Sequence, residues 1–266
     1  MDANQRLQKI LAIVILVLIP VFVLKEYRML AQKKSRSFLN PGKALVNEYA
    51  KGDNKTFVVV IFSDEEDPFC EKNLASIFDQ SYDNFRIVYL DSGPGENNYR
   101  KAKRWIEESG YQDRVTFVKN ATEGELFSAF YEVVQGCRDE EVVVHLESTD
   151  WLVDDAVLEK LNRAYKDPDV WLTYGEYLEY PSLKKQELEP VINRTLRDFK
   201  AAKTPWMLSH LKTYYAGVLK QMVPTSEGLQ DKASSSEDKM LMLSLLKIGK
   251  WHVRFIPEVL YVHQSD

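Results

Sequence analysis

The sequence predicts an α/β protein built on a doubly wound, mostly parallel sheet. Three observations carry that expectation. Phe57–Phe62 (FVVVIF), Phe85–Leu90 (FRIVYL) and Val142–Leu146 (VVVHL) are short, nearly continuous apolar runs, the composition of strands covered on both faces. Segments with apolar residues at helical spacing alternate with them, and loops rich in Gly, Asp and Asn separate the two kinds. Such alternation implies right-handed βαβ units. At 266 residues with 45% hydrophobic content, the chain is long enough for one large domain or two small ones.

Taken in order, the strand at Phe57–Phe62 is followed by an acidic loop, Asp64–Asp67, and a helix carrying Leu74, Ile77 and Phe78. The strand at Phe85–Leu90 runs into the loop Asp91-Ser-Gly-Pro-Gly. A charged helix over Tyr99–Ser109 is stopped by Gly110, a third strand spans Val115–Val118, and a helix over Leu126–Val134 is closed by Gly136. After the strand at Val142–Leu146 comes a helix over Leu158–Tyr165. The C-terminal third is less regular. Val170–Tyr174 reads as a strand followed by irregular chain through Pro190, Met207–Met222 as an aromatic-rich helix, and Glu237–Ile248 as an amphipathic helix ended by Gly249. Val253–Ile256 and Val259–Val262 read as two short strands.

The N-terminus has a different character. Ile10–Leu24 is an apolar stretch flanked by Lys9 and Lys25; at ~1.5 Å per residue it spans about 22 Å, and snorkelling lysines extend it toward the roughly 30 Å hydrocarbon core. Its length also fits a signal peptide, but Lys25-Glu-Tyr-Arg follows where a small-residue cleavage site belongs. The expectation is a single-pass anchor helix. Lys25, Arg28, Lys33, Lys34 and Arg36 follow it, against Arg6 and Lys9 before it, which places the main domain on the cytoplasmic side. The sequons at Asn120 and Asn193 would be usable only in a luminal domain. The resulting organisation is an anchor with its basic flank over 1–30, a linker over 31–55 and a main domain over 56–266. That last domain carries 25 basic against 36 acidic residues, a balance that argues against nucleic acid as a partner. Two cysteines, Cys70 and Cys137, lie in no metal-binding or disulfide pattern.

The chemistry concentrates after the strand Val142–Leu146, in Glu147-Ser-Thr-Asp150-Trp. Acids just beyond the carboxyl end of a buried strand sit where open α/β sheets place ligands, and two convergent carboxylates can hold a divalent cation against a pyrophosphate. The alternative is that Glu147–Asp150 only cap the following helix. His145, inside the strand, reads as a core histidine. Trp206, Tyr214 and Tyr215 read either as core or as the lining of an acceptor groove.

Over Thr56–His263 the order of motifs resembles a family 2 glycosyltransferase of the GT-A fold, from a bacterial branch. Ser76-Ile-Phe-Asp-Gln80-Ser-Tyr82-Asp-Asn84-Phe85 is similar to that family's SI-x-x-Q-x-Y-x-N-F segment, Ile87–Gly93 to its nucleotide-contacting strand, and Val143–Leu152 to its metal-binding strand. Val170–Tyr177, Ser209–Tyr214 and Val259–His263 resemble the bacterial branch. The resemblance implies a nucleotide-sugar donor contacted by Ser63, Asp64, Asp91 and Ser92, and a divalent metal, Mg or Mn, held by Glu147, Asp150 and His263. It further implies Asp238, with Glu237 beside it, as the base that takes the proton of a hydroxyl acceptor in an inverting transfer; the tether would bring a membrane-associated acceptor within reach. The sequence departs from the pattern at Asp64, where an aromatic is common, at Ser92 for an acid, and at Glu147 and Thr149 in the metal motif. These departures also fit a catalytically silent GT-A domain that binds a sugar or nucleotide, or serves as a scaffold.

Overall fold

A computed structural model describes residues 52–63, 67–93, 95–119, 126–186, 211–221 and 252–265, together with 241–242, 245–246 and 248–249. The predicted anchor over Ile10–Leu24, Asp64, Trp206, Glu237 and Asp238 lie outside the described residues. Among those described, no helix is long and apolar enough to cross a membrane.

The expected α/β architecture is present. Strands β1 (Phe57–Ser63), β2 (Phe85–Asp91), β3 (Val115–Lys119) and β4 (Val142–Glu147) form a parallel half-sheet in the order β3-β2-β1-β4. The apolar runs are continuous because both faces are covered: every residue of β1 is buried. Helix α1 (Cys70–Phe78) follows β1, α2 (Asn97–Ser109) follows β2, and α3 (Leu126–Gly136) follows β3. Tyr89 of β2 meets Cys70 of α1. Tyr89 is aligned with Ile61, and the next residue, Phe62, packs on Phe130 of α3. Successive strand residues face opposite sides, so α1 and α3 cover opposite faces. Gly110 ends α2 at φ 78°, a left-handed conformation that only glycine adopts without strain.

Beyond β4 the sheet becomes mixed. After β5 (Trp151–Leu152) and helix α4 (Val157–Tyr165) come β6 (Leu172–Tyr180), β7 (Lys184–Gln186), β8 (Lys212–Tyr215), helix α5 (Ala216–Lys220) and β9 (Val253–Gln264). The sheet continues β4-β8-β6-β9-β5, with β8 antiparallel to both β4 and β6, β9 parallel to β6, and β7 paired to β6.

Three elements depart from expectation. The irregular chain expected after Tyr174 is instead the continuation of β6 to Tyr180 and a hairpin with β7, because β6 finds a partner in β9 along its whole length. The helix expected over Met207–Met222 is, in its described part, strand β8 followed by the short α5; Lys212–Tyr215 is drawn into the sheet because β4 and β6 flank it on both sides. The two short strands near the C-terminus are one strand, β9, with the register shift beside Gly175 and Glu176 absorbing Pro257. Gly175 is required there: a Cβ would lie 2.8 Å from Cγ of the buried Leu260. Of the described residues in the expected amphipathic helix, Leu241, Met242, Leu245 and Leu246 are helical and buried, as amphipathic spacing predicts.

Candidate functional site

Register brings the site together. Ser63 at the end of β1 is aligned with Asp91 at the end of β2, and Phe62 with Glu147 at the end of β4. Three predicted site residues therefore reach the same edge of the sheet, beyond the carboxyl ends of its parallel strands.

On the β1–β2 side, the N–H of Ser92 donates to the carbonyl of Ser63 at 2.8 Å. The amide of Asn98 on α2 donates to Ser63 Oγ at 3.4 Å and accepts the N–H of Asp67 at 3.0 Å, which ties α2 to the loop after β1. Asp91 is buried. Its Oδ1 accepts the N–H of Gly93 at 3.2 Å, and Oδ2 lies 3.6 Å from Lys119 Nζ, which also donates to the carbonyl of Gly95. The Asp91 carboxylate therefore shapes the loop that follows it.

On the β4 side, Ser148 N–H donates to the carbonyl of Phe62 at 2.8 Å, and Asp150 N–H to that of Glu147 at 3.2 Å. Asn73, fully buried on α1, clamps this turn by donating to the carbonyls of Glu147 (2.9 Å) and Asp150 (2.7 Å). Ser76 Oγ then receives the N–H of Leu152. The turn is not a cap for the next helix: α4 begins at Val157, and Asp154 accepts the N–H of Ala156 there.

Strand β9 supplies the other half. His263 Nδ1 lies 3.0 Å from Asp150 Oδ1, and the N–H of Gln264 donates to the same oxygen at 3.1 Å. Residues 113 positions apart are thus joined, and the predicted trio Glu147, Asp150 and His263 shares one electrostatic neighbourhood. Glu147 Oε1 is 3.3 Å from His145 Nε2. His145 itself stacks on Phe62 and meets Phe130 edge-on, as a core histidine does. Removal from water raises the Glu147 carboxyl above its usual range, opposed by the positive charges of Lys212 and then His263. Burial likewise raises Asp150, against the hydrogen bonds from His263 and Gln264. For His263, burial acts downward most strongly, but the hydrogen bond to Asp150 and the charges of Asp150, Glu179 and Glu147 together outweigh it and the imidazole is raised.

Asn73, Asn98 and Lys212 belong to this site and escaped sequence reasoning. Asn73 shares the buried stripe of α1 with Cys70, Leu74 and Ile77; a polar residue on an apolar helical stripe was the available signal. Lys212 is fully buried in β8, aligned with His145 on β4 and Tyr174 on β6. Tyr214 and Tyr215 are fully buried. Beside the turn, Phe69, Trp151 and Tyr180 pack together, with Lys72 Nζ 3.6 Å from the Trp151 ring centre.

The residues that could hold a divalent cation here are Glu147, Asp150 and His263. Mg and Mn are commonly held by one or two carboxylates together with substrate phosphates and water, and among the described residues no group of three or more His, Cys, Asp or Glu side chains is arranged to hold a metal ion by itself. Asp150 Oδ1 already takes two hydrogen bonds, Thr149 stands where the resembling motif has a carboxylate, and the positive charges of Lys212 and His263 act on Glu147.

No protein-family model and no curated protein sequence matches the chain. Solved structures do. TarS of S. aureus, residues 1–349 in complex with UDP-GlcNAc, is 14% identical at a TM-score of 0.56, over 79% of this chain and 59% of that one. The mannosyltransferase PcManGT from Pyrobaculum calidifontis, in complex with GDP-Man and Mn2+, is 17% identical at a TM-score of 0.57, over 82% of this chain and 62% of that one. GalNAc-T7 with UDP, GalNAc and Mn2+ is 15% identical at a TM-score of 0.54, over 79% of this chain and 43% of that one. The chain thus spans about six-tenths or less of the length of each. The fold is that of the GT-A glycosyltransferases.

Proposed function

We propose that the protein is a glycosyltransferase that moves a sugar from a nucleotide-sugar donor to a hydroxyl acceptor. The observation that carries this reading is the convergence, at the carboxyl edge of a GT-A sheet, of Ser63 and Asp91 on one side with Glu147, Asp150 and His263 on the other. The neighbours in complex with UDP-GlcNAc and GDP-Man support the donor class, and the motif order supports a place in family 2, bacterial branch.

In this reading the nucleoside lies over the ends of β1 and β2, against the loops that Ser63, Asp64, Asp91 and Ser92 shape. The diphosphate lies toward the Glu147–Asp150 turn and His263. The acceptor oxygen attacks the anomeric carbon from the face opposite the diphosphate as the bond to the diphosphate oxygen breaks, which inverts the configuration, and Asp238, with Glu237 beside it, takes the acceptor proton. His263 faces the negative charge that grows on the leaving group. Ile10–Leu24 anchors the chain in the membrane, with the domain from about residue 56 in the cytoplasm and the acceptor presented at the membrane surface. The altered metal motif favours a second reading, a silent GT-A domain that binds donor without turning it over.

Release of nucleoside diphosphate from a panel of UDP- and GDP-sugars by the full chain in detergent tests this. The expected result is turnover of at least one donor, with Asp238→Asn lowering kcat by about 10²–10⁴-fold while donor binding persists. Binding without turnover by the wild type establishes the silent domain, and absence of both overturns the reading.

A further inference from the structure

Strand β6 carries a second group of polar side chains next to His263. From Tyr177 to Tyr180 it keeps regular register with its neighbours: Tyr177 is aligned with Gln186 of β7 and Tyr261 of β9, and Glu179 with Lys184 and His263. Alternate residues of a strand share a face, and their aligned partners share it with them. The contacts agree. The Tyr177 ring stacks on Tyr261 at 5.2 Å between centres and meets His263 edge-on at 5.8 Å, and Gln186 Nε2 donates to Glu179 Oε2 at 2.8 Å. Because His263 also holds Asp150, this face begins at the diphosphate end proposed above and leads away from it. Tyr177, Glu179 and Gln186 are half-buried, open enough to meet a ligand. Burial, then the charges of Glu179 and Asp150, raise the Tyr177 hydroxyl above its usual range, so that hydroxyl lies in the field of both acids. The other face of the hairpin is engaged elsewhere: Tyr180 packs on Phe69 and Trp151, and Lys185 pairs with Glu176.

A carboxylate, the carboxamide bonded to it and a phenolic hydroxyl together offer donors and acceptors to neutral hydroxyl groups. The tyrosine ring gives the C–H side of a polyol an apolar surface. An anion is repelled here by Glu179 and Asp150, while Lys184, aligned with Glu179, is exposed and screened by water. We infer that Tyr177, Glu179 and Gln186 form the acceptor subsite, and that the acceptor is an uncharged sugar rather than a phosphate. The inference rests on the transferase reading above and adds the acceptor class to it.

The test is nucleoside diphosphate release by the full chain in detergent, from the UDP- or GDP-sugar it binds. Octyl glycosides of glucose, galactose, mannose and N-acetylglucosamine are added in turn, and octyl phosphate separately. One of the glycosides is expected to accelerate release and to be recovered carrying a second sugar, and octyl phosphate to do neither. Glu179→Gln and Gln186→Ala are each expected to raise the KM for that glycoside by about tenfold or more, the loss of one good hydrogen bond, and to leave the KM for the donor within about twofold. Lys185→Ala, on the other face of the hairpin, is expected to change neither KM. Equal rises in both KM values, or a rise in Lys185→Ala as large as in Glu179→Gln, mark a merely structural hairpin and overturn the assignment. A donor that is bound, yet released no faster with any glycoside, or faster only with octyl phosphate, overturns the inference and leaves donor binding intact. Absence of donor binding overturns both.

Discussion

Replacing Asn73 by Ala should uncouple the Glu147–Asp150 turn from the rest of the domain. The side-chain amide is fully buried and donates to two backbone carbonyls, of Glu147 at 2.9 Å and of Asp150 at 2.7 Å. The Glu147 carbonyl keeps a second partner in the Asp150 N–H at 3.2 Å, so its loss is that of one ordinary hydrogen bond, about 1 kcal/mol. The Asp150 carbonyl loses the short bond and stays desolvated, which costs roughly 1–3 kcal/mol. The sum, about 2–4 kcal/mol, should appear in urea unfolding as a lower midpoint at unchanged slope. The turn also holds Asp150 against His263, so nucleotide affinity should fall with it. A destabilisation under about 0.5 kcal/mol with unaltered nucleotide binding would refute the claim that Asn73 organises the site.

Other perturbations test the frame around it. Gly175→Ala would press a methyl group into Leu260, so a loss of about 1–3 kcal/mol is expected, and the added truncation Leu260→Ala should cost less in that background than alone, the signature of coupled neighbours in a double-mutant cycle. Burial pushes the Cys70 thiol up to about 11 and raises Cys137 as well; native protein at pH 8 should resist a thiol reagent that labels both cysteines in urea. Asp167 is held below the usual carboxylate range by the N–H of Asp169 and by Arg254. Its folded value lies below its unfolded value, so the stability it contributes is present above about pH 4 and is lost as pH falls through the folded value. Asp167→Asn should therefore destabilise by less than about 1 kcal/mol at pH 7, since the group is two-fifths exposed, and chemical denaturation should show that deficit shrinking from pH 5 toward pH 3.

The parallel half of the fold was legible because its strands are covered on both faces and announce themselves as unbroken apolar runs, with helices of clear period between them. The mixed half was not. Lys212-Thr-Tyr-Tyr is buried by its neighbours β4 and β6, which are distant in sequence, and its aromatic spacing within Met207–Met222 imitates a helix. Pro257 reads as a break, yet the register shift opposite Gly175 carries β9 past it. At the site, the grouping of Glu147, Asp150 and His263 came from motif order, while their engagement with His145, Gln264 and Lys212 came only from pairing between remote strands. The expected helix hid Lys212 in particular: a lysine on a helix has no predictable partner, whereas the same lysine in β8 is aligned with His145 and Tyr174.

Whether the carboxyl edge of the sheet is a nucleotide-sugar site can be read from the melting temperature of the full chain with UDP and with GDP, each with and without Mn. A ligand that binds only the folded state stabilises it by about 2.7 kcal/mol at a hundredfold excess over its Kd. A concentration-dependent rise of several degrees is expected with one of the two nucleotides. A folded sample whose melting temperature moves with neither, with or without the metal, would contradict it.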